Sequence, residues 1–317
     1  MKRLFLSILS VTVFGTAFAQ QIPQFSLRSL DMLYFNPGIS GSTSLPEIKL
    51  HHRNQWVGFG GGSPMTSSLS YHFAMNQRTG IGTYIFNDKS GPTGKMGLNL
   101  SYAHHLPVKT FWLSLGLSAS VVQHSLNGSD FDLKDGYDPK VSEGMNDKSI
   151  KPDFNFGALA YNQKFFLGFS VLQMLNFNVK FDSSNEPANM QLANHFYVVG
   201  GYTLEAQKGV EIEPSFLVQI INGAPTMIDL NVKAAFNHNI IAGISYRYDD
   251  SALLMAGYRF DRYFIAYSYD IVLSKLRNTN SGSHEIIIAF QWPSSKKVKP
   301  LFDLKGSTRG QLKKRLY

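Results

Sequence analysis

The stretch "MIDLNVKAAF", residues 227–236, alternates without a slip. Ile228, Leu230, Val232, Ala234 and Phe236 fall on one face of an extended chain. Asp229, Asn231 and Lys233 fall on the other, because successive strand side chains point to opposite faces. A soluble sandwich would bury the apolar face against a second sheet. A membrane barrel would turn it to lipid and keep the charges inside. The rest of the chain decides between them.

The same alternation recurs. Leu69, Tyr71, Phe73 and Met75 oppose Ser68, Ser70, His72 and Ala74, and Met96, Leu98, Leu100 and Tyr102 oppose Gly97, Asn99 and Ser101. Val210, Ile212, Pro214, Phe216 and Val218 oppose Glu211, Glu213, Ser215 and Gln219. About 14 strand-like segments follow residue 45: 45–57, 65–75, 80–87, 95–105, 111–125, 151–161, 165–173, 191–204, 210–221, 227–236, 240–248, 252–260, 263–272 and 284–292. Most are near the roughly 9–11 residues that a tilted strand needs to cross a bilayer. The weak helical candidate is 27–33.

The connections carry a second pattern. The even-to-odd links are short, as in "NQK" (162–164), "NHN" (237–239) and "DR" (261–262). The odd-to-even links include the long ones, 126–150, 174–190 and 273–283. Outer-membrane barrels show this asymmetry, with the short side periplasmic. An even strand count then predicts both mature termini on that side. Tyr246, Tyr248, Tyr258, Phe260, Tyr263, Phe264, Tyr267, Tyr269, Phe290 and Trp292 cluster near strand ends, as interfacial girdles do. The fold expected is all-β: a transmembrane antiparallel barrel of about 14 strands over 45–292, whose closure satisfies every backbone group in hydrocarbon.

The ends bound the rest. Residues 1–19 read as a signal peptide: Lys2 and Arg3, an apolar run to Phe14, then Ala17-Phe18-Ala19 before Gln20. There is no cysteine, so disulfides, thiol catalysis and cysteine metal sites are excluded. Aromatic content is 13% and charged content only 16%. The net charge of +8 is concentrated. The tail 293–317 carries Lys296, Lys297, Lys299, Lys305, Arg309, Lys313, Lys314 and Arg315 against Asp303 alone. The body is close to neutral, which gives no support for nucleic-acid binding. The tail, placed in the periplasm, reads as a solvated end or a docking segment.

No constellation carries chemistry. "GFGGGSP" (58–64) lacks the strand–helix context and the Lys of a phosphate loop and reads as a tight turn. His51-His52 and His104-His105 cannot chelate as pairs, because neighbours on a strand face opposite ways. Ser283, His284 and Glu285 are separated by the same rule, and no nucleophile elbow occurs. The expectation is no enzyme, no catalytic residues, no cofactor and no metal. The segment 20–44 is too apolar for a free arm, with Leu30, Met32, Leu33, Tyr34 and Phe35, and "NPG" (36–38) reads as a turn. It is expected to be a plug at the barrel mouth or a periplasmic arm. The interior is expected to present Glu211, Glu213, Asp229, Lys233, Arg247 and Arg259.

"QFS" (24–26), "FNPGISG" (35–41), "HRNQWVGFGG" (52–61), "FNDKSGPTG" (86–94) and "SGSHEI" (281–286) together resemble the PorP/SprF family of the type IX secretion system of Bacteroidetes. Where the family motif usually reads "NPAYAG", this chain has "NPGISG". The resemblance implies an outer-membrane barrel that supports secretion or surface anchoring of a cargo such as an adhesin. Its implied partners are outer-membrane lipid, cargo with a C-terminal sorting domain, and periplasmic or peptidoglycan-associated components. The positions carried over as a structural or interaction signature are Asn36, Pro37, Arg53, Asn54, Gln55, Trp56, Asn87, Asp88, Gly91 and Pro92. The alternative reading is a passive channel or small-solute transporter, with the interior charges forming a transverse field.

Overall fold

The computed structural model describes residues 24–43, 45–59, 62–128, 146–181, 188–237 and 239–292. The signal segment, most of the link 126–150 and the basic tail lie outside them. Seventeen strands are present among the described residues. They are β1 (Glu47–Asn54), β2 (Met65–Ala74), β3 (Thr79–Ser90), β4 (Thr93–Val108), β5 (Phe111–Asn127), β6 (Asn146–Tyr161), β7 (Phe165–Leu172), β8 (Asn178–Phe181), β9 (Ala188–Gln191), β10 (His195–Tyr202), β11 (Leu204–Gln207), β12 (Val210–Ile221), β13 (Met227–Phe236), β14 (Ile240–Arg247), β15 (Ser251–Phe260), β16 (Tyr263–Val272) and β17 (Ser283–Gln291).

β1 to β7, β10 and β12 to β17 each pair antiparallel with their neighbours in chain order. β1 pairs with β17, and β10 bridges β7 and β12, so the sheet closes as a barrel of fourteen strands. β11 prolongs β10 beyond Thr203 along β12. β8 and β9 form a separate hairpin. Each of the fourteen strand-like segments read from the sequence overlaps one wall strand, and β3, β4, β5 and β6 run past the bounds read for them. Two-residue links at Lys109-Thr110 and Asp261-Arg262 turn the chain with positive φ at Lys109 and Asp261, as tight hairpins demand.

The opening alternation sorts as a membrane barrel requires. Ile228, Leu230 and Val232 are exposed on the outer face, while Asp229, Asn231 and Lys233 are buried inside. Leu98 and Leu100 are likewise exposed against buried Asn99 and Ser101. Outer rings at the short-link mouth form a continuous chain of contacts from Tyr258 through Phe260, Tyr263, Phe290 and Trp292 to Tyr71. Phe264, read as part of a girdle, is buried inside, where the Arg259 guanidinium lies 4.9 Å from its ring centre. Its position in β16 gives it the opposite parity to Tyr263.

Several features differ from expectation. β5 and β6 stay paired out to Asn127↔Asn146, so the link 126–150 begins and ends as strand. β6 pairs with β7 only from Phe156 onward, so the wall of β4, β5 and β6 rises past β7 on the long-link side. The link 174–190 contains β8 and most of β9; Val179 and Phe181 of β8, with Leu192 just after β9, pack with Leu126 of that raised wall. Finally, 27–33 is not a helix. It holds isolated turn bonds, from the Leu30 N–H to the Leu27 carbonyl (2.9 Å) and from the Asp31 N–H to the Arg28 carbonyl (3.2 Å). Packing against the inner wall, rather than local periodicity, sets its path.

The core is the barrel interior. Residues 24–43 run through it, and Phe25, Leu27, Leu33, Phe35 and Ile39 are almost fully buried there. One cluster joins Met32, Leu33, Tyr34, Phe35 and Ile39 to inward-facing Tyr84, Leu159, Phe166 and Tyr197. A second joins Leu27 and Leu30 to Ile241, Leu253, Met255, Phe264 and Ile287. A barrel of this size can be filled by side chains and a plugging segment, and this one is.

Candidate functional site

Segment 24–43 meets the wall through many hydrogen bonds and ion pairs. At the level of the long links, the Ser26 and Leu27 N–H groups both donate to the Glu285 carboxylate, each at 2.7 Å. The Ser26 hydroxyl donates to Asp270 at 2.6 Å and accepts from Arg53 (2.8 Å) and Arg247 (3.2 Å). Arg53 also bridges Glu285 (2.7 Å) and Asp270 (2.8 Å). His51 Nε2 lies 2.5 Å from Glu285 and its ring stacks on Phe25. Arg28 and Arg247 share the Asp229 carboxylate, each at 3.3 Å, and Ser245 donates to the same group. All of these charges are buried, and each is held by an opposite charge and hydrogen bonds, which is the condition for keeping an ion out of water.

Further down, Ser70 of β2 donates to Asp31 at 3.1 Å, with Lys49 on its other oxygen at 3.8 Å. Toward the short-link mouth the contacts become uncharged. Asn36 caps the short 3-10 turn Pro37–Ile39, accepting from the Gly38 N–H at 2.8 Å. Its amide donates to the carbonyls of Ala158 (3.1 Å) and Phe169 (3.3 Å), pinning the turn to β6 and β7. Ser114 donates to the Gly38 carbonyl at 2.7 Å, and the Ser40 and Ser101 hydroxyls lie 2.7 Å apart. His105 lies 2.9 Å from the Ser40 carbonyl. Three wall glycines make room for this turn. A Cβ on Gly157 would meet the Asn36 amide oxygen, one on Gly116 the Pro37–Gly38 backbone, and one on Gly80 the Ser40 carbonyl.

The signature positions divide into two groups. Asn36, Pro37 and Arg53 belong to the contact between segment and wall. The others gather at the long-link mouth. Asn54 closes β1, and the Gln55 N–H donates to the Pro64 carbonyl at 2.8 Å. The Trp56 N–H donates to the Ser283 hydroxyl at 3.1 Å, with Trp56 at a φ of 54°. Asn87 is exposed on the outer face, and Asp88 accepts from the Thr66 hydroxyl at 2.6 Å. Gly91, at a φ of 55°, and Pro92 form the β3–β4 turn, which bonds to Gly62 and Asn127.

The six interior charges all face inward and are buried. Lys233 pairs with Glu213 at 2.9 Å and Arg247 with Asp229. Glu211 and Arg259 line the same half of the wall as Lys233. The paired histidines split as strand parity requires: His51 and His105 lie inside, while His52 faces out beside Ser67. Ser283 and Glu285 face inward and His284 outward, where Tyr267 bonds it at 2.6 Å. Sequence reasoning missed Ser26, Arg28, Asp270 and Glu285 as one cluster. The only available signal was an inward acid on each of three strands, and nothing local says that they converge.

These features define a class: a transmembrane β-barrel whose interior is occupied by its own N-terminal segment. The family of type IX secretion system membrane proteins PorP/SprF matches residues 17–290, and the chain belongs to that family. It is an outer-membrane β-barrel component of that system. No curated protein matches the chain. Among solved structures, it is similar to the toluene transporter TbuX of Ralstonia pickettii, with 10% identity and a TM-score of 0.49 over 82% of this chain and 92% of that one. It is also similar to Acinetobacter baumannii Omp33, with 8% identity and a TM-score of 0.46 over 80% and 100%. A third is a Pseudomonas aeruginosa FadL homologue, with 12% identity and a TM-score of 0.44 over 78% and 89%.

Proposed function

We propose that this barrel serves type IX secretion as a docking component that supports the export or surface anchoring of a cargo such as an adhesin, and not as an open pore. The observation that carries this is the filled interior. Residues 24–43 are packed against the inner wall and ion-paired to it. The wall charges that could have formed a transverse field are engaged in pairs such as Lys233–Glu213. What the barrel offers other chains is therefore its two rims and its outer face. The raised β4–β6 wall, with the β8–β9 hairpin packed on it, is the surface for a cargo with a C-terminal sorting domain.

With the short links taken as periplasmic, β1 begins and β17 ends on that side. The tail 293–317 then faces periplasmic or peptidoglycan-linked partners, with an attraction that salt weakens. The role is non-catalytic, which the opposed faces of His284 and Glu285 favour. Deleting the gene and surveying surface proteins tests the proposal. Loss of one adhesin, with the rest intact, is expected, whereas an unchanged surface refutes it. Single-channel recording of the purified chain separates docking from passive transport: silence is expected, and a steady open conductance overturns it.

A further inference from the structure

Residues 25–28 sit in the wall as a ligand sits in a site. No strand of the barrel pairs its ladder with residues 24–43, and the sheet closes without them. Recognition is by parts. The Glu285 carboxylate takes two consecutive backbone N–H groups, a contact open to any residue except proline. Asp270, Arg53 and Arg247 converge on one hydroxyl, that of Ser26. The His51 ring stacks 4.0 Å from the Phe25 ring centre. Leu27 lies in the apolar cluster with Ile287 and Leu253, and Asp229 takes the Arg28 guanidinium.

The fit is not fully satisfied. Nε of Arg28, Arg53 and Arg247 and Oδ1 of Asp270 have no hydrogen-bond partner, and a cavity of about 30 Å³ lies beside Ser26, Arg28 and Asp229. The site also lies close to the long-link mouth. Asp270, Glu285, Arg53, Arg247 and Asp229 all lie within three residues of the long-link ends of their strands. Gln24, the first described residue, is only half-buried. The segment thus crosses the interior from the long-link mouth, at Ser26, to the short-link mouth, where it joins β1 at Glu47, so residue 24 lies opposite the side on which the strand count placed both mature termini.

We propose that Glu285, Asp270, Arg53 and Asp229 form a peptide-binding site, held at rest by residues 25–28, and that another polypeptide bearing an aromatic–hydroxyl–aliphatic–basic run can displace them. Entry is from the long-link mouth. Release begins at Phe25, while the Asn36 turn still tethers the segment below.

The test uses the full-length chain in detergent and a labelled peptide, QFSLRSLDM, which copies residues 24–32. Ser26→Ala with Arg28→Ala weakens the resident segment and leaves the wall intact. That variant is expected to bind the peptide about tenfold more tightly than wild type, the effect of losing charge-assisted bonds. Adding Glu285→Gln is expected to abolish the gain, and a scrambled peptide to show none. Equal binding by wild type and the double variant overturns the site, as does binding that survives Glu285→Gln. Should the double variant fail to fold, Arg28→Ala alone gives the same comparison with a smaller gain. Failure here leaves the secretion role standing, because the surface-protein survey tests that separately.

Discussion

At the scale of the residue, Arg53 is the most consequential side chain. It is almost fully buried and satisfies two carboxylates and the Ser26 hydroxyl at once. Arg53→Met leaves Glu285 and Asp270 facing each other without their shared cation. The expected cost is about 3–5 kcal/mol, read as a lower unfolding midpoint in detergent. Two glycines make a sharper contrast. Gly91 has open space around it, so Gly91→Ala costs only the positive φ, about 1 kcal/mol. Gly80 faces the Ser40 carbonyl, and a Cβ there has backbone in its way. Gly80→Ala is therefore expected to loosen the segment and increase protease cleavage within 24–43, while Gly91→Ala leaves that cleavage unchanged. The family signature includes Gly91 and omits Gly80. A turn glycine is conspicuous in sequence, whereas a strand glycine that admits a distant backbone is not.

At the scale of the element, segment 24–43 converts a barrel into a closed body. It is bonded to β1, β2, β4, β5, β6, β7, β13, β14, β16 and β17, mostly through side chains. Deleting 24–43 is expected to turn a silent barrel into a conducting one in planar bilayers, because no other described segment crosses the interior. Its anchoring can be checked directly. The chain has no cysteine, and the Ser40 and Ser101 hydroxyls lie 2.7 Å apart. Ser40→Cys with Ser101→Cys is expected to form a disulfide without denaturant, visible as a mobility shift reversed by reductant. Failure to cross-link would mean that the segment does not rest where it is placed here. The composition of 24–43 marked it as ordered. It could not reveal the path, because its partners come from ten strands spread over the chain.

At the scale of the whole molecule, the outer face is the constraint. Leu98, Leu100, Leu117, Leu230 and Ile244 are each more than half exposed around the circumference, with no protein layer over them. Leu100 lies midway along β4. Leu100→Arg is expected to cost about 2–4 kcal/mol of folding stability in lipid vesicles, as a cation at mid-bilayer does. The interior behaves in the opposite way. It is a packed core with ion pairs, so the barrel has two apolar surfaces of different kinds, one solvated by lipid and one by its own segment. This explains why β14 to β17 read as more continuously apolar than β13. Ile241, Leu253, Met255 and Ile287 face inward against Leu27 and Leu30, and their neighbours face lipid.

By itself the sequence determined the wall: fourteen strands, their parity, their lipid face and the asymmetry of their links. These are properties of period-two alternation and of turn residues, both written within ten or so residues of one another. It also marked which charges face inward, because parity carries that information along a strand. Only the tertiary structure decided that Arg53, Glu285, Asp270, Asp229 and Ser26 form one cluster and that glycines at 80, 116 and 157 admit the Asn36 turn. Those contacts join residues up to 259 positions apart. Closure of the barrel and the threading of its own chain create them, and neither leaves a local trace.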